Sequence, residues 1–162
     1  MKRAAFVIVL LLGLTGFLVW WFQPAQVVKR RTNTLLEILT LDEGTGSSIR
    51  QMGGYSINKL LAPEVELESS SISQANGSFE RHELESAYTS LCNRAKFSRF
   101  SMAAVRLIDI DGDTARVDCS VDALVELPEI RPADGRYDCS FVWIRADDGW
   151  RLTKAVWDPS EK

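Results

Sequence analysis

The chain of 162 residues holds one histidine and three cysteines, Cys92, Cys119 and Cys139, with no CxxC spacing among them. A zinc site needs a denser set of such ligands, so no metal and no cofactor are expected. Excess positive charge is also lacking. The net charge is −3, and the five basic residues up to Arg31, where no acid occurs, leave −8 on everything after them. An acidic domain is a poor match for a phosphate backbone, so no nucleic-acid partner is expected. Internal repeats and low-complexity tracts are absent. With 46% of its residues apolar, the chain has material for one ordinary core and too little length for two.

Between Ala4 and Phe22 charge is missing altogether: the run AAFVIVLLLGLTGFLVWWF is nineteen residues long. At about 1.5 Å per residue it matches the roughly 30 Å hydrocarbon core of a bilayer. Trp20, Trp21 and Phe22 form an aromatic edge of the interfacial kind. Cleavage after Ala25 would leave Gln23 where a small residue is wanted, and no cysteine stands there for a lipid anchor. An uncleaved anchor is therefore expected, in preference to a removed signal peptide. Lys2, Arg3 and the amino terminus lie closer to the run than Lys29, Arg30 and Arg31 do. That asymmetry predicts a single-pass protein with a cytoplasmic N-terminus and an exported, extracytoplasmic domain.

Beyond the run, QPAQVVKRR (23–31) reads as a basic stalk leading into a helix, whose stripe is Thr32, Leu35, Leu36 and Leu39. LDEGTGSS ends that helix. A second helical stretch starts near Ser48 and carries Ile49, Met52, Leu60 and Leu61, weakened in the middle by Gly53 and Gly54 and closed by Pro63. VELES follows as a brief strand. A polar loop then runs to Asn76-Gly77, a turn signal whose Asn-Gly-Ser also matches a glycosylation sequon and is read here as a turn. In RHELESAYTSLCNRA the residues Leu84, Tyr88, Leu91, Cys92 and Ala95 share one helix face. His82, Glu85 and Thr89 lie on the other, which places the histidine in solvent.

From Arg99 onward the period changes to two. Ala115, Val117, Cys119, Val121, Ala123, Val125 and Leu127 alternate with Arg116, Asp118, Ser120 and Asp122, so this strand has one dry and one wet face. Asp111-Gly112 is expected to turn it back on VRLIDI. Asp148-Gly149 is expected to turn YDCSFVWIRA back on WRLTKAVW, and PEIRPADG is the loop between the hairpins. The spacing of Asp109, Asp111 and Asp113 hints at calcium. A calcium loop, however, wants glycine and glutamate where Thr114 and Ser120 stand, so a solvated turn is expected.

Helices first and a run of long antiparallel strands after them define an α+β layout with the helices on one side of a curved, mostly antiparallel sheet. LLAPEVELES, the loop ending in NGS, RHELESAYTSL, IDIDGDTARVDC and WIRADDGWRLTKAVW, in this order, resemble the cone-shaped nuclear transport factor 2-like superfamily. The resemblance spans residues 32–158. It implies three helices packed on the concave face of the sheet, with a pocket at the wide end of the cone, and leaves activity open. The expected organisation is a short leader (1–3), a transmembrane anchor (4–22), the stalk (23–31), the cone-shaped domain (32–158) and a tail (159–162).

An inward-facing set for such a pocket is Tyr88, Arg106, Cys119, Tyr137, Phe141 and Trp143. A two-residue turn at Asp111-Gly112 would pair Ile110 with Asp113 and point Arg106 inward, as an anchor for an acidic ligand. A bulge or a place at the rim would turn it out. Leu152 and Val156 are expected on the same inner face, and Val142, Ile144 and Trp157 outside, as an apolar patch for a homodimer formed through the sheet. Cys119 and Cys139 fall in neighbouring strands. Buried thiols are expected, with a bridge as the alternative in an oxidising compartment. The dry strand offers no carboxylate or histidine for proton transfer, and no catalytic residue is assigned. The reading that follows is a membrane-anchored binding or assembly module at the membrane surface, without catalysis. Its alternative is a pocket enzyme or sensor for a small acidic or apolar ligand held by Arg106, Tyr88 and Tyr137.

Overall fold

The computed structural model describes residues 21–42, 44, 47–128 and 133–160. Most of the apolar run 4–22, part of the loop after the first helix, Ile49, and residues 129–132 of the prolyl loop lie outside the described residues or side chains. No helix among the described residues is long and apolar enough to cross a membrane.

Helix α1 (Pro24–Leu39) begins eight residues before the predicted stripe, because Pro24 sits at its first turn, where the missing N–H costs nothing. The segment expected as a stalk is thus the start of a core helix: Val28 is wholly buried, as are Thr32, Leu35 and Leu36 further along. Its C-terminus is tied to the sheet. The Thr40 hydroxyl accepts the Phe100 N–H at 3.0 Å, and Leu41 and Ser98 exchange backbone hydrogen bonds of 2.8 and 3.0 Å.

Helix α2 (Ser47–Asn58) ends before Leu60, and Pro63 lies inside the strand that follows, β1 (Leu61–Ser69), instead of closing the helix. A short 3-10 turn and β2 (Gly77–Glu80) lead to α3 (Arg81–Arg94). The Glu83 carboxylate accepts the Glu80 N–H at 2.8 Å, which satisfies a backbone donor at the start of α3. The remainder is β3 (Phe97–Asp111), β4 (Thr114–Glu126), β5 (Ala133–Ala146) and β6 (Gly149–Pro159).

These strands form one curved mixed sheet in the order β2-β1-β6-β5-β4-β3, antiparallel except where β1 runs beside β6. The α+β architecture and the inner face of β4 agree with the sequence reading: Ala115, Val117, Cys119 and Val121 are buried against the helices. Both hairpins turn one residue away from the expected place. Gly112-Asp113 is the first loop, with Asp111 opposite Thr114, and Gly112 has a φ of +57°. Asp147-Asp148 is the second, with Ala146 opposite Gly149.

Bulges then redirect side chains. In β3, Val105 pairs with Cys119 and Leu107 with Asp118, so Arg106 is the extra residue and turns outward. In β6, Trp143 pairs with Leu152 and Val142 with Lys154, leaving Thr153 unmatched. Beyond that point Trp157 opposes Cys139 on the inner face and Val156 opposes Ser140 on the outer, the reverse of the expected pair.

Candidate functional site

The six residues expected to line a pocket do not share one place in the fold. Tyr88, Cys119, Phe141 and Trp143 meet in the core between sheet and helices, where they fill volume with Val28, Val117 and Leu152. Tyr137 is half-buried over Gly135 and packs against the margin of that core. Arg106 is exposed on the outer face, its Nη1 2.9 Å from Asp138 Oδ1. An unpaired guanidinium in the core would be costly, and the bulge removes that cost by placing it in water.

Polar groups that do reach the core are already engaged. The Tyr88 hydroxyl donates to the Ile38 carbonyl, Thr32 Oγ1 to the Val28 carbonyl at 2.9 Å, and Ser98 Oγ to the Leu39 carbonyl at 2.7 Å. Burial, and then the contact with Cys92, hold the Tyr88 hydroxyl well above the usual tyrosine range. Trp143 Nε1 is the exception: it is buried with no hydrogen-bond partner among the described residues.

Cys119 and Cys139 are directly opposite and unbridged. Burial pushes their thiols up to about 11 and about 12, so both stay protonated near neutrality. Their register also resists a bridge. The Arg145 N–H donates to the Asp113 carbonyl at 2.8 Å, which makes every second pair along β4 and β5, including Cys119 with Cys139, a hydrogen-bonded one. Cβ atoms in such pairs stand about 5.5 Å apart, beyond the roughly 3.5–4.5 Å that a disulfide spans.

Two concave surfaces lie outside the core. One shallow, open depression follows α3 past His82, Glu85, Thr89 and Asn93. His82 is exposed, as expected, and sits 3.1 Å from Glu80. Glu85 and Thr89 are not free in solvent: Glu85 Oε2 accepts the Asn58 amide at 2.6 Å, and Thr89 packs on Gly54. The second depression runs along the ends of β1 and β6, past Glu66, Ser69, Asn76 and Asp158. There Asn76 accepts the Ser69 N–H at 2.6 Å and donates to the Ser69 carbonyl at 3.0 Å, so the sequon asparagine is a structural clasp of its loop. Among the described residues no group of three His, Cys, Asp or Glu is placed to hold a metal.

The wet face of the sheet carries a ladder of ion pairs that pattern alone did not disclose. Arg116 meets Asp118 at 2.8 Å, Arg136 meets Asp122 at 2.7 Å, and Lys154 sits between Glu66 and Glu68 at 3.2 and 2.7 Å. With Trp157 turned inward, the expected patch reduces to half-buried Val142 and exposed Ile144 among these charges.

A curved mixed sheet with helices on its concave side defines the cone-shaped α+β class of nuclear transport factor 2-like folds. Solved structures agree. The chain is similar to a provisionally named dehydratase of that family from Streptomyces avermitilis, at 16% identity and a TM-score of 0.63 over 85% of this chain and 96% of that one. It is similar to a superfamily protein from Salmonella enterica at 12% identity and 0.66, over 85% and 92%. A provisionally named aromatic ring hydroxylase from Novosphingobium aromaticivorans aligns at 11% identity and 0.68, over 85% and 90%. At such identities the likeness establishes the fold alone. No protein-family model matches the chain, and no curated protein matches it.

Proposed function

We propose that this chain is a membrane-anchored binding or assembly module, which displays its cone-shaped domain at an extracytoplasmic membrane surface and works without catalysis. The observation that carries this reading is the state of the interior. Where a pocket enzyme of this shape would place an ionisable pair, the core holds Tyr88, whose hydroxyl is committed to Ile38, and apolar side chains around Trp143. General acid and base chemistry needs a titrating group with an orienting partner near the reacting atoms, and Arg106, the one charged residue once assigned there, is outside. The names of two structural neighbours, a dehydratase and a ring hydroxylase, support the alternative of a small-molecule enzyme or sensor. The apolar surroundings of Trp143 weigh against it. The anchor rests on the uncharged run 4–22. Self-association through the sheet would use the ion-pair ladder with Ile144 and Leu107, and would therefore weaken in salt.

Purification of the detergent-solubilised chain from its host membranes, with mass spectrometry of the mature N-terminus and of whatever accompanies it, tests this reading. An N-terminus upstream of Ala4, together with a stoichiometric protein partner or a second copy, is the expected result. A chain beginning at Gln26, or a small molecule held in equal amount inside the cone, would overturn it.

A further inference from the structure

Helix α1 fixes which end of the domain continues into the apolar run. Its later turns lie at the start of β3, through Thr40 and Leu41, while its early turns lie at the β5–β6 hairpin. A Cβ on Gly149 would come within 2.7 Å of Arg31 Nη2. Pro24 is a further seven residues upstream, so the chain enters the domain past the hairpin tips 112–113 and 147–148. The same end carries the C-terminus of α2, since Arg151 donates to the Lys59 carbonyl and the Leu152 N–H to the Leu60 carbonyl at 2.8 Å.

Two aromatic and cationic pairs flank this end. Arg30 lies 4.1 Å from the centre of the Trp21 ring and donates to the Trp21 carbonyl at 2.8 Å. Lys59 lies 4.5 Å from the centre of the Tyr55 ring, one turn along α2. Trp21, Phe22, Met52 and Tyr55 are all exposed, and they account for four of the seven large apolar side chains that the described surface exposes. Amphipathic rings with a cation at hand suit the headgroup layer, where one end of the side chain is dry and the other wet.

We infer that the hairpin-tip end of the domain lies on the lipid headgroups, with Trp21–Arg30 and Tyr55–Lys59 as its contacts. This rests on the anchor reading above. The charge of that end selects the lipid. Asp111, Asp113 and Asp147 at the loops stand among Arg30, Arg31, Arg145 and Lys59, a mixed surface that matches zwitterionic headgroups and gains little from anionic ones. The opposite end, at Ser69 to Ser71, stands clear of the bilayer. The eleven residues of β6 between the two ends span about 35 Å.

The full chain, carrying a fluorophore on either Asp147→Cys or Ser71→Cys, is reconstituted into phosphatidylcholine vesicles containing a headgroup quencher. The three native thiols are buried and unlabelled in the folded protein. Flotation after an alkaline wash is scored first, then quenching. The chain is expected to float, with the label at 147 quenched several-fold more than the label at 71. Tyr55→Ala with Lys59→Ala should bring the two closer without changing flotation. Equal quenching in floating protein, or a difference indifferent to the paired substitution, would overturn the orientation and leave the anchor intact. Protein that washes off the vesicles would remove the anchor and the orientation together.

Discussion

Single side chains show how far alternation carries. Val117, Cys119, Phe141 and Trp143 were legible as a dry face because strand period sends every second residue inward, and all four are buried. Arg106 was legible only as two alternatives, of which the bulged one holds, and Trp157 was misplaced, because each lies at or beyond a bulge and one extra residue reverses every assignment past it. Trp143 carries a testable cost. Its indole N–H is buried without a partner, which removes about 1–3 kcal/mol from stability. Trp143→Phe is therefore expected to lose no more than about 1 kcal/mol in urea denaturation, the lost volume being offset by the deleted donor. Trp143→Ala, which leaves a void, should lose about 3–5 kcal/mol.

Among the elements, α3 was legible in its extent and apolar stripe, which are local signals, but not in the contacts that Glu85 and Thr89 make with α2. The Gly53-Gly54 stretch was read only as a weakness of α2. Its purpose appears in packing: a Cβ on Gly54 would collide with Thr89 Oγ1 and come within 3.3 Å of Glu85 Cγ, so the missing side chain allows α2 to lie against α3. Gly54→Ala should accordingly destabilise the domain by about 1–3 kcal/mol, against the gain that alanine brings to an isolated helix. Adding Thr89→Ala removes the obstructing hydroxyl, and a double-mutant cycle by chemical denaturation should show recovery of most of that loss. Purely additive effects would mean that the two helices do not meet there. The start of α1 was hidden for a related reason, since Val27 and Val28 sit in a polar, basic stretch and only their partners across the core reveal that they face it.

For the whole molecule, the outer sheet face sets a dependence on pH. Asp122, held by Arg136, Asp138, held by Ser160 and Arg106, Asp148, held by Arg151, and Asp158, held by Ser70, all have their carboxyls below the usual range. A carboxyl depressed by folding contributes stability that is fully present above its unfolded value, near about 4, and lost as pH falls through the folded one. The melting temperature should thus hold from about pH 7 to about pH 5 and drop below about pH 4, and the drop should shrink in high salt because these groups are exposed. A melting temperature unchanged down to about pH 3 would show that the ladder contributes nothing to folding. The α+β class and the dry face of β4 were legible in the sequence, because periodicity and turn chemistry are properties of neighbours along the chain, while the cone shape entered through the resemblance. Which of the two alternatives Arg106 takes, and that Val28 at the start of α1 is inside, were decided only in three dimensions. Bulges and helix contacts join residues far apart in order, and no local pattern records where the chain gains or loses a single residue of register.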